Sequence, residues 1–430
     1  MEVDCFPGKP YTGVTNKQKT SMSKIAVFAQ IARLIPHEII DSIARKYRAD
    51  RYCKGLDTWT HLMAMLLAQL ANFNSLRDVC NNMRGMQKRI QHLGITRAPS
   101  RNALSYQNKE RSWEVFRAIY MALHEHLRQH LLYERRIALP MTDDVLLLDS
   151  STITLCLSLF SWAKYKQEKG AIKLHALLSL MTWLPLDIHI SDGKKSDNMG
   201  AYGVFPKKRT VVVADRGYVD SELWYDWDSN DVTFVVRFKK DVKFRKIEER
   251  DQPDKEEQNI LIDEIIKLDG DETREKYGKA LRRIAVYRPY DASRRPRRRK
   301  EGEEDPPEDV RSSQVIELIT NNMEWEADVI SQLYLARWEI ETFFKLLKQR
   351  LNITTFLGTS ENAVRTQIWV AMIAALLLLY LRKLCGKNWT TSGLASSVRA
   401  NLMGTYDLIA WLRRQFDVAD DPSELSLNSS

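Results

Sequence analysis

At 430 residues the chain is too long for one ordinary hydrophobic core, and its 44% apolar and 28% charged content is that of a soluble globular protein. A formal charge of +9 favours a polyanionic partner but does not name it. The five cysteines (Cys5, Cys53, Cys80, Cys156, Cys385) are odd in number and lack Cys-x-x-Cys spacing, which argues against a disulfide framework or zinc ribbon and for a reducing, cytoplasmic setting.

Residues 1–23 are polar, carry no apolar signal-peptide core and read as a loose leader. Residues 24–135 follow a helical period. Ile25, Phe28, Ile31, Ala32 and Ile35 form one stripe, and Trp59, Leu62, Met63, Leu66 and Leu67 another. Ser75 and Ser100 are placed to cap two further helices with arginines near their starts. Such a pair suits a DNA-reading helix-turn-helix, or a plain bundle with a solvated basic face.

From Asp143 the grammar becomes that of strands: Val145–Asp149, Lys173–Leu180, Leu186–Ile190, Val211–Asp215 and Val232–Phe238, with short helices at Ser196–Val204 and Ser221–Asp228. Residues 239–314 are a more charged insertion with a strand at Ile284–Arg288. Its centre, a basic tract Arg294–Arg299 followed by acids in 301–309, reads as a solvated loop or a DNA-backbone contact. A last strand, Val315–Thr320, precedes a helix carrying Tyr334 to Lys348. The run Ile368–Leu381 is apolar but shorter than the roughly 20 residues that cross a bilayer, so it reads as a buried helix and no membrane is expected. The expected organisation is a helical domain over 24–135, an α/β core over 143–238 and 315–390, an insertion over 239–314, and a helical segment with a polar tail over 391–430.

Asp149 and Asp215 each end an apolar strand run. Acids so placed share a crevice if their strands are neighbours, although a strand-terminal Asp is also an ordinary turn former. On the later helix, Tyr334, Arg337, Glu341 and Lys348 are spaced by 3, 4 and 7 and fall within about 60° of arc. Glu339 lies about 200° away from that face. Three carboxylates of this kind suit two Mg²⁺ ions, which prefer hard oxygen ligands, and paired ions suit in-line displacement at a phosphodiester. Arg337 and Lys348 then fit phosphate contacts, or else routine surface ion pairs. Asp143, Asp144, Asp187, Asp192 and Asp197 read as turn acids. His175 reads as a structural histidine, with Lys173 beside it on the same strand.

The pattern Tyr334-x2-Arg337-x3-Glu341-x6-Lys348 resembles the signature of bacterial insertion-sequence DDE transposases of the insertion sequence 4 family. Asp149-Ser-Ser-Thr152, Ala214-Asp-Arg-Gly-Tyr-Val219 and Phe356-Leu-Gly-Thr-Ser-Glu-Asn-Ala363 are similar to that family's other blocks, and residues 24–135 to its usual N-terminal domain. The resemblance implies a ribonuclease-H-like core with a mostly β insertion, for which the 125 residues between Asp215 and Glu341 leave room. It also implies Mg²⁺-dependent (or Mn²⁺-dependent) cleavage of double-stranded DNA at the element's ends, joining of the 3′ ends to target DNA, and a homodimer in the synaptic complex. Arg216, after the second acid, becomes a phosphate contact or the partner of a nearby acid. Some members hold a flipped base with an insertion Trp, but no Trp lies between Trp227 and Trp325, and Tyr277, Tyr287 or Tyr290 would have to stack instead. A domesticated DNA-binding protein and a non-transposing nuclease with the same core are the alternatives.

Overall fold

The structure, a computed structural model, describes residues 25–53, 55–132, 144–166, 169–239, 241–250, 259–289, 313–386 and 389–417. The leader, Asp143, Tyr290, the Arg294–Arg299 tract and its acidic neighbour, and the end of the tail lie outside them. The chain forms two compact units, Leu132–Phe344 on the one hand and Met1–Leu131 with Lys345–Ser430 on the other.

The central unit is built on a ten-stranded mixed sheet. In chain order the strands are β1 Asp144–Leu155, β2 Lys164–Lys166, β3 Lys169–Ser179, β4 Pro185–Asp192, β5 Thr210–Ala214, β6 Thr233–Arg237, β7 Phe244–Glu249, β8 Ile260–Leu268, β9 Leu281–Pro289 and β10 Ser313–Thr320. Across the sheet they run β2-β3-β1-β5-β6-β10-β9-β8-β7, with β4 also paired to β3. Among the described residues only the β1–β5 and β5–β6 pairs are parallel. Parallel strands are covered on both faces, which is why Thr210–Ala214 and its neighbours are continuous apolar runs rather than alternating ones. On one face, helix Ser221–Ser229 buries Trp224 and Trp227, and Trp224 stacks on Phe234 of β6 at 5.5 Å. Helix Ala327–Ala336 packs on β5 and β6.

The insertion is not a separate body among the described residues. Its strands β7, β8 and β9 continue the central sheet through β9–β10 pairing. Within it Asp263 and Arg282, both fully buried, form a two-point ion pair at 2.7 and 2.8 Å. Tyr277 is buried against Phe234, so it packs rather than offering a stacking surface.

The other unit is helical. Helix Glu361–Cys385 is its axis, packed by Trp113–Leu131, Thr58–Ala71, Thr391–Asn401 and Leu408–Asp417. This 25-residue helix extends beyond the run Ile368–Leu381 and is long and apolar enough to cross a membrane by length and composition alone; 78% of its most apolar stretch is buried, in line with the buried helix expected. Gln30 donates to Ile25 O and Tyr406 O and accepts from Leu408 N, so the first helices are tied to the last. Asn362 accepts from Trp113 N and donates to the carbonyls of Asn108 and Arg111. Residues 345–417 therefore complete the N-terminal helical domain, where sequence grammar had divided them between the catalytic core and a tail. Ser75 and Ser100 cap their helices as expected, accepting from Asp78 N and Ala103 N. Residues 86–100 separate those helices, however, with a one-turn helix and a 3-10 turn among them. That connection exceeds the 3–4-residue turn of a helix-turn-helix.

Candidate active site

The parallel register of β1 and β5 ends at Leu148 opposite Ala214. The next residue on each strand is an acid. Asp149 and Asp215 thus stand side by side where the two strands part. Side chains alternate along a strand, so Asp149 shares the face of Leu147 and Asp215 that of Val213. Asp215 follows the end of β5 as expected, and its carboxylate caps the 3-10 turn Arg216–Tyr218 by accepting from Gly217 N at 2.6 Å. Asp149 departs from expectation. It lies in mid-strand, because β1 runs on to Leu155 paired with β3, Asp149 opposite Ala176.

The expected single helix over Tyr334–Lys348 is interrupted twice. Helix Ala327–Ala336 ends before Arg337, helix Trp338–Lys345 follows, and Leu346–Arg350 is a π-helical turn. Arg337 sits at the first joint. Its Nη2 donates to Glu341 Oε1 at 3.1 Å and its Nη1 lies 3.5 Å from Asp149 Oδ2. One guanidinium therefore spans two of the three acids. The rings of Tyr334 and Trp338 lie 5.9 and 5.5 Å from its central carbon. Tyr334 is only 6% exposed and acts here as a support beneath Arg337. Lys348 falls in the π-helical turn and in the helical unit, where burial lowers its pKa. Arg216 is exposed and makes no ion pair among the described residues, so the acid-pairing alternative is not met.

Burial pushes the Asp149 carboxyl up to about 6, against the opposing pull of Ser150 N–H and Arg337; the like charges of Asp215 and Glu341 push the same way as burial. Burial disfavours the Arg337 cation too, but Tyr334, Asp149, Glu341 and Asp215 together hold it above its usual value. All three acids act on one guanidinium. Among the described residues no three His, Cys, Asp or Glu groups converge as a ready-made cation site. The donor chemistry nonetheless fits hard divalent ions: carboxylate oxygens near one another, one of them raised by burial and, in smaller part, by its acidic neighbours, with Arg337 as a counter-charge.

A fourth acid was passed over in the sequence. Asp197 accepts from Ser150 Oγ and, at 3.1 Å, from Lys173 Nζ. A side chain at Gly217 would meet Asp215 Oδ1 at 2.9 Å and Asp197 Oδ2 at 3.2 Å, so the two carboxylates flank that glycine. The buried Tyr218 phenol is raised by burial and by Asp149, Asp197 and Asp215. Nothing in spacing separates Asp197 from a helix-start acid; only the alternation of Lys173 with His175 hinted at a partner on its side. His175 is fully buried, bonded to Ser191 Oγ at 2.9 Å, and its ring fills the space left by Gly200. It is structural.

The sequence model described as Transposase DDE domain matches residues 140–377, over half of the chain and all three acids. The chain belongs to the DDE transposase family. A second, described as Domain of unknown function (DUF4372), matches residues 23–96. Among curated relatives, the chain is 29% identical over 234 residues (54% of this chain, 55% of the relative) to "Probable transposase for insertion sequence element IS5377" of Geobacillus stearothermophilus. It is 27% identical over 285 residues (65% and 71%) to "Putative transposase y4zB" of Sinorhizobium fredii (strain NBRC 101917 / NGR234). It is 24% identical over 305 residues (70% and 76%) to "Putative transposase for insertion sequence element IS4SA" of Synechocystis sp. (strain ATCC 27184 / PCC 6803 / Kazusa). The chain thus spans about half the length of the first of these. DDE transposases are DNA-handling nucleotidyl transferases, and the acids gathered at the fork of β1 and β5 lie inside the part of the chain that this family shares.

Proposed function

We propose that this protein is a transposase of the insertion sequence 4 type with a ribonuclease-H-like core, binding the terminal inverted repeats of its own element, cutting at the ends and joining the 3′ ends to target DNA. The observation that carries this reading is the placement of Asp149 and Asp215 on adjacent strands at the end of their parallel register, with Glu341 bound to Asp149 through Arg337. Asp149, Asp215 and Glu341 would hold two Mg²⁺ ions, or Mn²⁺ in their place. When bound, such a pair activates the attacking oxygen and stabilises the leaving one.

The chain's own residues do the rest. Ser150 N–H, donating to Asp149 Oδ1 at 2.7 Å, and Gly217 N–H, donating to Asp215, fix the two carboxylates before substrate arrives. Arg337, released from the acids once they gain another counter-charge, is within reach of the scissile phosphate as a planar two-point donor. Tyr334 backs it, and Arg216 and Lys348 contact flanking phosphates. Two copies hold the two ends in a homodimeric synapse, in the cytoplasm.

The test is cleavage of a duplex carrying the element's own ends. Asp149→Ala, Asp215→Ala and Glu341→Gln should each lower Mg²⁺-dependent cleavage by roughly 10³-fold or more while end binding survives. Cleavage retained in any one would remove that residue from the triad. Binding without cleavage by the unaltered protein would instead favour a domesticated DNA-binding role.

A further inference from the structure

A second concentration of charge lies in the helical unit, in the last turn of helix His37–Lys46 and the turn that follows it. Its sequence is Arg45-Lys-Tyr-Arg48-Ala-Asp-Arg51-Tyr52, and every residue but half-buried Ala49 is exposed. The one acid in it is committed inward. Asp50 Oδ1 accepts from Thr58 N at 2.7 Å, from Thr58 Oγ1 at 2.8 Å and from Arg111 Nη2 at 3.0 Å. Arg45, Lys46, Arg48 and Arg51 have no ion-pair partner among the described residues, so four positive charges face solvent. Arg45, Arg48 and Arg51 line one open cleft of about 580 Å³ with Asp41, Ala44 and Asp50.

The turn is built, not merely charged. Arg48 and Tyr52 take left-handed backbone conformations, with φ of 51° and 64°. The buried Arg111 bonds the residues beside them: besides Asp50, its guanidinium donates to the carbonyls of Ala49, Leu56 and Asp57 at 3.3, 2.8 and 3.3 Å. Tyr52, 85% exposed, carries the Arg51 guanidinium 4.8 Å from its ring centre. A buried arginine thus spends its hydrogen bonds on shaping a surface loop that displays three others. Fixed guanidinium forks at close spacing match phosphate oxygens, and pre-shaping spares the ordering that a mobile loop loses on binding.

We propose that the turn Arg45–Tyr52 grips the phosphate backbone of duplex DNA, a contact separate from the catalytic acids and independent of base sequence. This rests on the transposase reading above. It gives the match to a domain of unknown function, residues 23–96, a role in backbone binding and places that role on the Arg45–Tyr52 turn rather than on the helices after Ser75 and Ser100.

The test is binding of the full chain to a fluorescein-labelled mixed-sequence duplex, followed by anisotropy from 50 to 300 mM salt, beside thermal unfolding. Each phosphate contact contributes about 0.9 to the slope of log affinity against log salt, so Arg45→Ala/Arg48→Ala/Arg51→Ala should flatten the slope by about 3 and weaken binding about 10²-fold at 150 mM. The matching arginine-to-lysine triple variant keeps the charges and should keep the slope. If the alanine variant binds with an unchanged slope, the turn is no phosphate contact, while the transposase reading stands. If both variants lose binding and melting temperature together, the arginines are structural and the proposal is overturned. If the unaltered chain does not bind duplex DNA at all, this proposal and the DNA reading fall together.

Discussion

Asp149 carries the sharpest physical tension in the molecule. It is mostly buried, beside two further acids, with half a guanidinium as compensation. Its folded pKa of about 6 stands above the ordinary value, so the neutral form is the one the fold prefers. The associated stability is fully present below the unfolded pKa near 4 and is lost as pH rises through about 6; the two-unit shift corresponds to about 3 kcal/mol. Asp149→Asn, which cannot ionise, should therefore raise the melting temperature at pH 7.5 without divalent ions, and the gain should shrink as pH falls from 7 to 5. An unchanged melting temperature at pH 7.5 would mean that Arg337 already compensates the charge in full. The same tension shows what the sequence could say. Val145–Asp149 and Val211–Asp215 announced two acids after apolar runs, but not that their strands are neighbours in register. The shared Arg337 was illegible, because residues four apart on a helix pair as readily with each other as with a strand nearly two hundred positions away.

At the level of elements, the apolar runs found all three strands of the parallel centre, since fully covered strands advertise themselves. Strands β2, β7 and β8 escaped. In β8 the run Ile260-Leu-Ile-Asp-Glu-Ile-Ile-Lys-Leu268 has acids in its middle that read as solvent-facing, yet Asp263 is buried because Arg282 reaches it from β9. The break at Arg337 and the π-helical turn were equally hidden, since neither disturbs the helical period enough to show. The short helix Asp197–Ala201 makes a testable link between packing and site. It is held over β3 by contact of Gly200 with the His175 ring, leaving no room for a methyl group. Gly200→Ala should destabilise by about 1–3 kcal/mol through overpacking. It should also weaken DNA cleavage beyond what the loss of folded protein explains, because Asp197 moves with the helix. Unaltered activity per folded molecule would show that Asp197 does not order the site.

The whole molecule is organised in a way composition and periodicity could not reveal. Both units have helices with the same spacing of apolar residues, and nothing in that spacing says which helices meet. The N-terminal helices are completed by Glu361–Cys385 and the two helices after it. Residues 23–96, although matched as a domain, pack within this larger unit. A fragment ending at Leu131 exposes the Leu123, Leu127 and Ile119 face of helix Trp113–Leu131, all buried in the full chain. Its expression should yield aggregated or molten material by circular dichroism and dye binding, and co-expression with residues 345–417 should restore a cooperative melt. A cooperative melt of the short fragment alone would overturn this view of the unit.

The arrangement of the helical unit also has a consequence in time. On the ribosome, residues 25–131 emerge well before the helix Glu361–Cys385 that closes their core. At roughly 5–20 residues per second the delay is some 10–50 s. The sheet-bearing segment can close during that interval, while the first-made helices wait with an apolar face uncovered. Nascent chains of this protein should therefore be unusually dependent on chaperone holding until late in translation, and the first part made should be the last to become native.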